Sequence, residues 1–228
     1  MPHKQNDVAV LIFANSSSQE TKQKSLPQGS ELFDYLNHRV IQVAKKTSFD
    51  IVLFDETLQK GKTFGERFTN AIETIFAKGY HKVIAIGNDS PDLKTKHLKK
   101  AFTQLDNQQS VLGPSLDGGA YLIAFHKKHF NKQQFLQLPW QTNFLFTALH
   151  KLLLQHNQVT SLTYLKDIDS CDDLKYFLFR FNTERILHDI IRKIISSFKV
   201  VFYYFSPIQK INYLQNIFNK GSPTYLSL

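Results

Sequence analysis

Short, continuous apolar runs that alternate with segments of helical spacing constrain the fold of this chain more than any other feature. The first run is VAVLIF at Val8–Phe13, and similar runs occur at Ile51–Phe54 and Val83–Ile86. A continuous run of this length predicts a strand buried on both faces, as in parallel sheets. Further strands are predicted at 111–112, 120–125 and 160–165. The order of elements therefore predicts an α/β three-layer sandwich with a mostly parallel central sheet.

The segments between the predicted strands carry helix signals. Apolar residues recur at helical spacing between 32 and 43, and Ser30 precedes them as the predicted N-cap. Thr63 and Glu66 match the capping-box pattern, and Gly79 is placed to end their helix in a left-handed conformation. The polar stretch between 15 and 29 is predicted to be a loop. Further helices are predicted at 94–105, at 142–156 and from a second capping signature at Ser170.

Composition excludes several classes of protein. The single cysteine, Cys171, allows no intramolecular disulfide, and no zinc framework of Cys and His is present. The chain begins without a signal-peptide pattern and has no apolar stretch of about 20 residues, so we expect a cytoplasmic protein. The net charge of +9 is read as lysines on solvated faces. We expect no nucleic-acid partner, because basic and aromatic residues do not alternate as in RNA-binding sheets.

The C-terminal quarter differs in composition from the rest of the chain. From about Tyr176 the sequence is aromatic, basic and largely helical in period. We therefore predict a domain at residues 1–178 and a mostly helical C-terminal extension at residues 179–228. The extension is predicted to pack on the domain, and the alternative is a peripheral contact with a membrane or a protein partner.

The turn after the third predicted strand is the first candidate site. It begins Gly87-Asn88-Asp89 and continues through a proline to a second aspartate. Ligands of mostly parallel sheets bind at the carboxyl ends of the strands, where this turn is predicted to lie. A carboxylate held there is suited to Mg²⁺ or Mn²⁺, which prefer oxygen ligands. The alternative is an ordinary strand-to-helix turn whose acids stabilise the following helix.

Three other stretches carry candidate binding residues. Asp117-Gly118-Gly119 precedes a strand, and paired glycines let the backbone approach a ligand closely, although the stretch is also a good loop sequence. Trp140, the single tryptophan, stands beside a helix start and is either a core residue or part of an acceptor pocket. Asp169 precedes a capped helix and is a candidate second metal ligand, although acids there also act as caps.

Taken in order, five stretches resemble a bacterial family of GT-A-like glycosyltransferases of the radical-SAM/selenodomain-associated transferase type. The stretches are KGKTFGERFTNAI, IAIGNDSPDL, LGPSLDGGAYLIA, LPWQT and LKDIDSCDDL, and the match covers most of residues 8–178. The family is similar in fold to the molybdenum-cofactor and 2-phospholactate guanylyltransferases and to CMP-Kdo synthetase. The resemblance implies a nucleotide-diphospho-sugar transferase-like, GT-A and Rossmann-like, single-domain fold.

The resemblance also implies site residues. Asp89 matches the metal-binding Asp of the family's Gly-x-Asp-x-Pro turn, and Asp169 matches the late Asp that supplies a further metal ligand in the similar cytidylyltransferases. The Asp-Gly-Gly segment at 117–119 is expected at the substrate, with Asp117 as the candidate catalytic base. Glu66 and Arg67 match the Gly-Glu-Arg segment, to which no role is assigned.

One departure from the related nucleotidyltransferases bears on the reaction. Their first loop is rich in glycine and holds a triphosphate, whereas this loop, ANSSSQETKQK, contains no glycine and leaves Lys22 and Lys24 to contact phosphates. This favours a metal-dependent glycosyltransferase that uses a nucleotide-activated sugar and a small-molecule or glycan acceptor. The alternatives are a nucleotidyltransferase on the same fold and a non-catalytic nucleotide-binding or scaffold protein.

Overall fold

A computed structural model describes residues 7–24, 26 and 28–204, with side chains described up to residue 197. Six strands form one sheet in the order β2-β1-β3-β5-β4-β6, in which only β5 runs antiparallel to its neighbours. The strands are β1 (Val8–Phe13), β2 (Asp50–Phe54), β3 (Lys82–Ile86), β4 (Ser110–Pro114), β5 (Ala120–His126) and β6 (Val159–Ser161). The predicted mostly parallel α/β sheet is therefore confirmed.

Helices cover both faces of this sheet. They are α1 (Ser17–Gln23), α2 (Ser30–Lys45), α3 (Phe64–Ala77), α4 (Thr95–Asp106), α5 (Lys132–Leu136), α6 (Leu145–Leu154), α7 (Cys171–Phe179) and α8 (Arg185–Tyr204), with a short 3₁₀ turn at Lys127–His129. Successive residues of β1 point to opposite faces. Val10 packs in one apolar cluster with residues of α2 and α4, and Leu11 packs in a second with residues of α3 and α6. This arrangement confirms the three-layer sandwich.

Local capping signals predicted helix boundaries well in some places and poorly in others. The capping boxes at Thr63 and Ser170 are formed, and Gly79 has a positive φ of 86°. The prediction that Ser30 is an N-cap is wrong, because Ser30 is already helical and Gly29 precedes it without a side-chain cap. The segment predicted to be a loop contains α1, whose residue Glu20 is buried.

The C-terminal helices pack on the sandwich through α2. Phe33 of α2, Phe177 of α7 and Ile191 of α8 belong to one buried cluster. Among the described residues, no helix is long and apolar enough to cross a membrane. Residues 205–228 of the predicted extension lie outside the described residues. The boundary at residue 178, the cytoplasmic location and the membrane or protein contact of the extension stay predictions.

His129, a buried histidine in the 3₁₀ turn after β5, leads us to predict a loss of stability in mild acid. His129 is buried between the rings of His126 and His156, and its Nδ1 atom has no hydrogen-bond partner among the described residues. Burial, with the nearby charge of Lys128 and the two histidines, lowers the pKa of His129 to about 4. The unfolded chain, with a histidine pKa near 6.5, therefore binds more protons between these two values.

The contribution of neutral His129 to the unfolding free energy is thus fully present above pH 6.5 and is lost as the pH falls towards 4. We expect roughly 2 kcal/mol less unfolding free energy at pH 5 than at pH 7 from His129 alone. Urea unfolding of His129→Phe should show a smaller difference between these pH values than the unaltered protein. His38→Gln, at an exposed position on α2, is the control and should keep the full difference. If the unfolding free energy of His129→Phe fell between pH 7 and pH 5 as much as that of the unaltered protein, His129 would not be the source of the loss.

Candidate functional site

A cleft of about 620 Å³ opens at the carboxyl ends of the parallel strands. Its lining comes from the end of β1, α1, the turn after β3, the loop between β4 and β5, the residues around Trp140 and the segment before α7. Of the predicted site residues, those that line it are Lys24, Gly87, Asn88, Asp89, Asp117, Gly119, Trp140 and Asp169. Lys22 and Gly118 are not among the lining residues.

A backbone contact brings the predicted metal ligands together. The amide of Ile168 donates a hydrogen bond to the carbonyl oxygen of Asp89 over 2.9 Å. The extended segment before α7 therefore runs beside the turn that follows β3. Because alternate residues of an extended segment share a side, Asp167 and Asp169 both reach the cleft while Ile168 is buried in the core.

Lys24 stands between the two predicted metal ligands. Its Nζ atom lies 3.1 Å from Oδ2 of Asp89 and 2.8 Å from Oδ1 of Asp169, and it donates to the carbonyl oxygen of Ile168 over 3.0 Å. Glu20 on α1 adds a third carboxylate at 4.0 Å. Burial opposes the charge on Lys24, but the three carboxylates outweigh it and raise the pKa of the ammonium above its ordinary value. An internal cation thus occupies the position at which the sequence predicted a metal.

Asp167 is the main site residue that the sequence analysis missed. Burial, followed by the charge of Asp89, raises the pKa of Asp167 to about 7, against the effect of hydrogen bonds such as the one that Ser90 donates to it. The pKa of Asp169 is also raised, because burial and the nearby charges of Asp89 and Asp117 together outweigh the opposite effect of Lys24. The signal for Asp167 was present in the sequence, since its spacing of two from Asp169 in an extended segment places both on one side.

The carboxylates around Lys24 are candidate ligands for a divalent cation. Among the residues that the structure describes, no group of three or more His, Cys, Asp or Glu side chains is already arranged around a metal position. Asp89 and Asp169 nevertheless contact one shared ammonium, so their oxygens converge on a single cation. Each oxygen would have to close by about 1 Å to reach the Mg–O distance of roughly 2.1 Å. The oxygens fit Mg²⁺ or Mn²⁺ provided that Lys24 moves away.

An aromatic wall forms another part of the cleft lining. The ring of Trp140 packs 5.6 Å from Phe64 and 4.9 Å from Phe68, and its Nε1 donates to the carbonyl oxygen of Phe135 over 2.7 Å. Gly65 makes this packing possible, because a Cβ atom there would lie 2.4 Å from Cδ1 of Trp140. Trp140 therefore packs against the core and also lines the cleft, and its part in an acceptor pocket stays a prediction.

The two glycines of the Asp-Gly-Gly segment differ in their surroundings. Asp117 lines the cleft, and its Oδ1 accepts a hydrogen bond from the amide of Gly119 over 2.9 Å, whereas its Oδ2 has no hydrogen bond from the described residues. Gly118 has a φ of +89°, and a Cβ atom there would lie 2.1 Å from the carbonyl oxygen of Asn143. The geometry gives Gly118 a part in shaping the turn rather than a place on the cleft wall.

Asn88 connects the turn after β3 to α2. Its side chain is buried, and Nδ2 donates to Oδ1 of Asn37 over 2.7 Å. Asn37 in turn donates to the carbonyl oxygen of Asn15 over 3.0 Å. The side-chain amides therefore tie together the ends of β1 and β3, and they hold Asp89 in position relative to Lys24.

Comparisons with known proteins give a family match and a fold. A family model described as an uncharacterized protein conserved in bacteria (DUF2064) matches residues 42–142. A candidate nucleotide-diphospho-sugar transferase from Desulfovibrio desulfuricans G20 is similar in structure with a TM-score of 0.72 and 21% identity, covering 86% of this chain and 98% of that one. The fold is thus that of nucleotide-diphospho-sugar transferase-like proteins, as the resemblance implied. A comparison with curated proteins found no significant match.

Two more distant structures have TM-scores too low to add to this assignment. Rv0371c from Mycobacterium tuberculosis H37Rv has a TM-score of 0.42 and 14% identity, covering 74% of this chain and 95% of that one. The 4-diphosphocytidyl-2C-methyl-D-erythritol synthase of Anaerococcus prevotii DSM 20548 has a TM-score of 0.44 and 10% identity, with 74% and 93% covered. The radical-SAM/selenodomain part of the resemblance stays a prediction.

Proposed function

We propose that this chain is a transferase that uses a nucleotide-activated sugar, with the cleft as its active site. The observation that carries the proposal is the convergence of the carboxylates of Asp89 and Asp169 on one cationic position in the cleft at the carboxyl end of β3. The similarity in fold to a candidate nucleotide-diphospho-sugar transferase supports it. A site of this kind suits a substrate whose phosphates carry the charge and whose sugar fills the remaining volume.

Asp89 and Asp169 would hold Mg²⁺ or Mn²⁺, since their oxygens already converge on one cation. When bound, such a cation neutralises the negative charge that develops on a diphosphate leaving group. The ammonium of Lys24 would leave the two carboxylates and contact the phosphates, since its side chain already lines the cleft. Gly87 leaves space for this exchange, because a Cβ atom there would stand 3.1 Å from Oδ1 of Asp89.

The acceptor would be activated by Asp117. One oxygen of this carboxylate is fixed by the amide of Gly119, which orients the other oxygen. A carboxylate oriented in this way accepts a proton from a hydroxyl group as the hydroxyl attacks the sugar. Gly119 and Trp140 would bound the space in which the small-molecule or glycan acceptor lies.

The released product distinguishes the proposed reaction from its alternatives. The protein is incubated with Mn²⁺, a panel of sugar and polyol acceptors, and either nucleotide-sugars or nucleoside triphosphates. We expect release of a nucleoside diphosphate from one nucleotide-sugar, dependent on the acceptor. Pyrophosphate release from a triphosphate with a sugar phosphate would instead show a nucleotidyltransferase. Nucleotide binding without either product would contradict the transferase proposal and favour the binding-protein alternative.

A further inference from the structure

The positive charges of the cleft are not equivalent. Among the described lining residues, the lysine and arginine side chains are Lys24 and Arg67. Lys24 is surrounded by carboxylates, whereas no salt bridge joins Arg67 to a carboxylate in the part of the chain that the structure describes. Arg67 is therefore the charge in this cleft that is available to an anion before any rearrangement takes place.

The acid next to Arg67 in the sequence is already engaged. The carboxylate of Glu66 accepts hydrogen bonds from the amides of Lys62 and Thr63 over 2.6 and 3.3 Å, as part of the capping box of α3. With the described residues, the guanidinium of Arg67 makes one long hydrogen bond, from Nη1 to the carbonyl oxygen of Lys62 over 3.3 Å. Most of its five donors are thus uncommitted, in a planar fork that matches phosphate and carboxylate groups.

Arg67 also stands on the element that carries the aromatic wall. It lies in the first turn of α3, between Phe64 and Phe68, both of which pack against Trp140. The acidic cluster is carried by the turn after β3 and by the segment before α7. The acids, which suit a metal-bound diphosphate, and the cation of Arg67 therefore stand on different elements of the cleft lining, and Arg67 shares its helix with two of the aromatic rings.

We propose that Arg67 recognises a second anionic group, a phosphate or carboxylate on the sugar or acceptor, that is distinct from the diphosphate of the donor. The inference rests on the proposed transferase function and narrows its substrate class to molecules with an anionic group on the non-nucleotide part. The rings of Phe64 and Trp140 would contact the carbon skeleton that bears this group, as aromatic faces do in ligand pockets.

Trp140 provides a readout that does not depend on activity. It is the single tryptophan of the chain and lines the same cleft, so its fluorescence reports binding beside Arg67. The probes are glucose 6-phosphate, glucuronate and, as the neutral control, glucose, without nucleotide or metal. We expect at least one anionic probe to change the emission saturably, with an affinity that falls about tenfold or more in Arg67→Gln and less in Arg67→Lys, which keeps the charge but loses the fork. Which anionic probe binds distinguishes a phosphate from a carboxylate.

Two controls separate this inference from the proposed function. Arg192→Gln, at an exposed arginine of α8 outside the cleft lining, should bind the anionic probe as the unaltered protein does. The affinity for a nucleoside diphosphate with Mn²⁺, measured by the same fluorescence, should differ less than threefold between Arg67→Gln and the unaltered protein. Equal affinity of the anionic probes for the unaltered protein and Arg67→Gln would overturn the inference. So would an equal loss of nucleoside diphosphate binding, because Arg67 would then serve the donor's phosphates.

Discussion

Replacing Lys24 by methionine is expected to raise the affinity for Mn²⁺ about tenfold or more, because the ammonium competes with the metal for the same carboxylates. Its Nζ atom contacts Asp89 and Asp169 at 3.1 and 2.8 Å, so a divalent cation must displace it before it can bind. Methionine keeps much of the length of the side chain without the charge. Isothermal titration with MnCl₂ measures the difference directly.

The same substitution should lower the stability of the metal-free protein and the affinity for nucleotides. Without Lys24, the carboxylates of Asp89, Asp169 and Glu20 repel one another with no cation between them, which should cost about 1–2 kcal/mol of unfolding free energy after allowance for their partial exposure. Loss of a phosphate contact should also lower nucleotide affinity in the presence of saturating Mn²⁺.

Lys22→Met is the matched control for Lys24→Met. Lys22 is exposed on α1, two residues before Lys24, and does not line the cleft. Its replacement should leave metal affinity, stability and nucleotide affinity unchanged. If Lys24→Met bound Mn²⁺ no more tightly than the Lys22→Met control, the two carboxylates that Lys24 joins would not form the metal site.

Gly118→Ala should lower the unfolding free energy by about 3 kcal/mol or more, which corresponds to a fall in Tm of roughly 6–12 °C for a chain of this size. The φ of +89° at Gly118 is unfavourable for a residue with a Cβ atom. That atom would also lie 2.1 Å from the carbonyl oxygen of Asn143, which is backbone and cannot rotate away.

Gly119→Ala is the matched control for the turn. A Cβ atom at Gly119 would approach the side chain of Asp117 at 3.1 Å, and that side chain can shift slightly. Differential scanning calorimetry should therefore show a much smaller fall in Tm for Gly119→Ala than for Gly118→Ala. Similar Tm values for the two variants would contradict the structural role of Gly118 and return it to the candidate ligand contacts.

Features of the fold that have local causes could be predicted from the sequence. The buried strands follow from continuous apolar runs, and the starts of α3 and α7 follow from capping boxes that need only residues three apart. Helix α1 could not be predicted in this way, because it has no apolar stripe. The helix is held by the hydrogen bond from Asn15 to Glu20 at its start and by the long-range ion pairs of Lys24, its C-cap residue, with Asp89 and Asp169.

The acidic residues of the candidate site could be predicted from the sequence, but the position of the Lys24 ammonium between them could not. Asp89 and Asp169 carry local signals, a strand-end turn and a capped helix start, that place both at one edge of the sheet. The contacts of Lys24 with them join residues far apart in the chain, for which the sequence holds no local signal. The expectation that Lys22 also reaches phosphates assumed a loop. Lys22 lies in α1 and Lys24 is the C-cap residue of this helix. Residues two apart on a helical turn do not share a face, and of these two lysines Lys24 lines the cleft.

Metal-dependent stabilisation by nucleotides tests the central claim most directly, in the unaltered protein and in Asp89→Ala. Thermal unfolding is followed with nucleoside diphosphates and nucleotide-sugars, with and without Mn²⁺, and Asp34→Ala, at an exposed acid of α2, is the control. A nucleotide at one hundred times its Kd should add about 2.7 kcal/mol of stability. We expect this gain only with Mn²⁺, in the unaltered protein and Asp34→Ala but not in Asp89→Ala. No stabilisation by any nucleotide, or the same gain in Asp89→Ala, would contradict a metal and nucleotide site at Asp89.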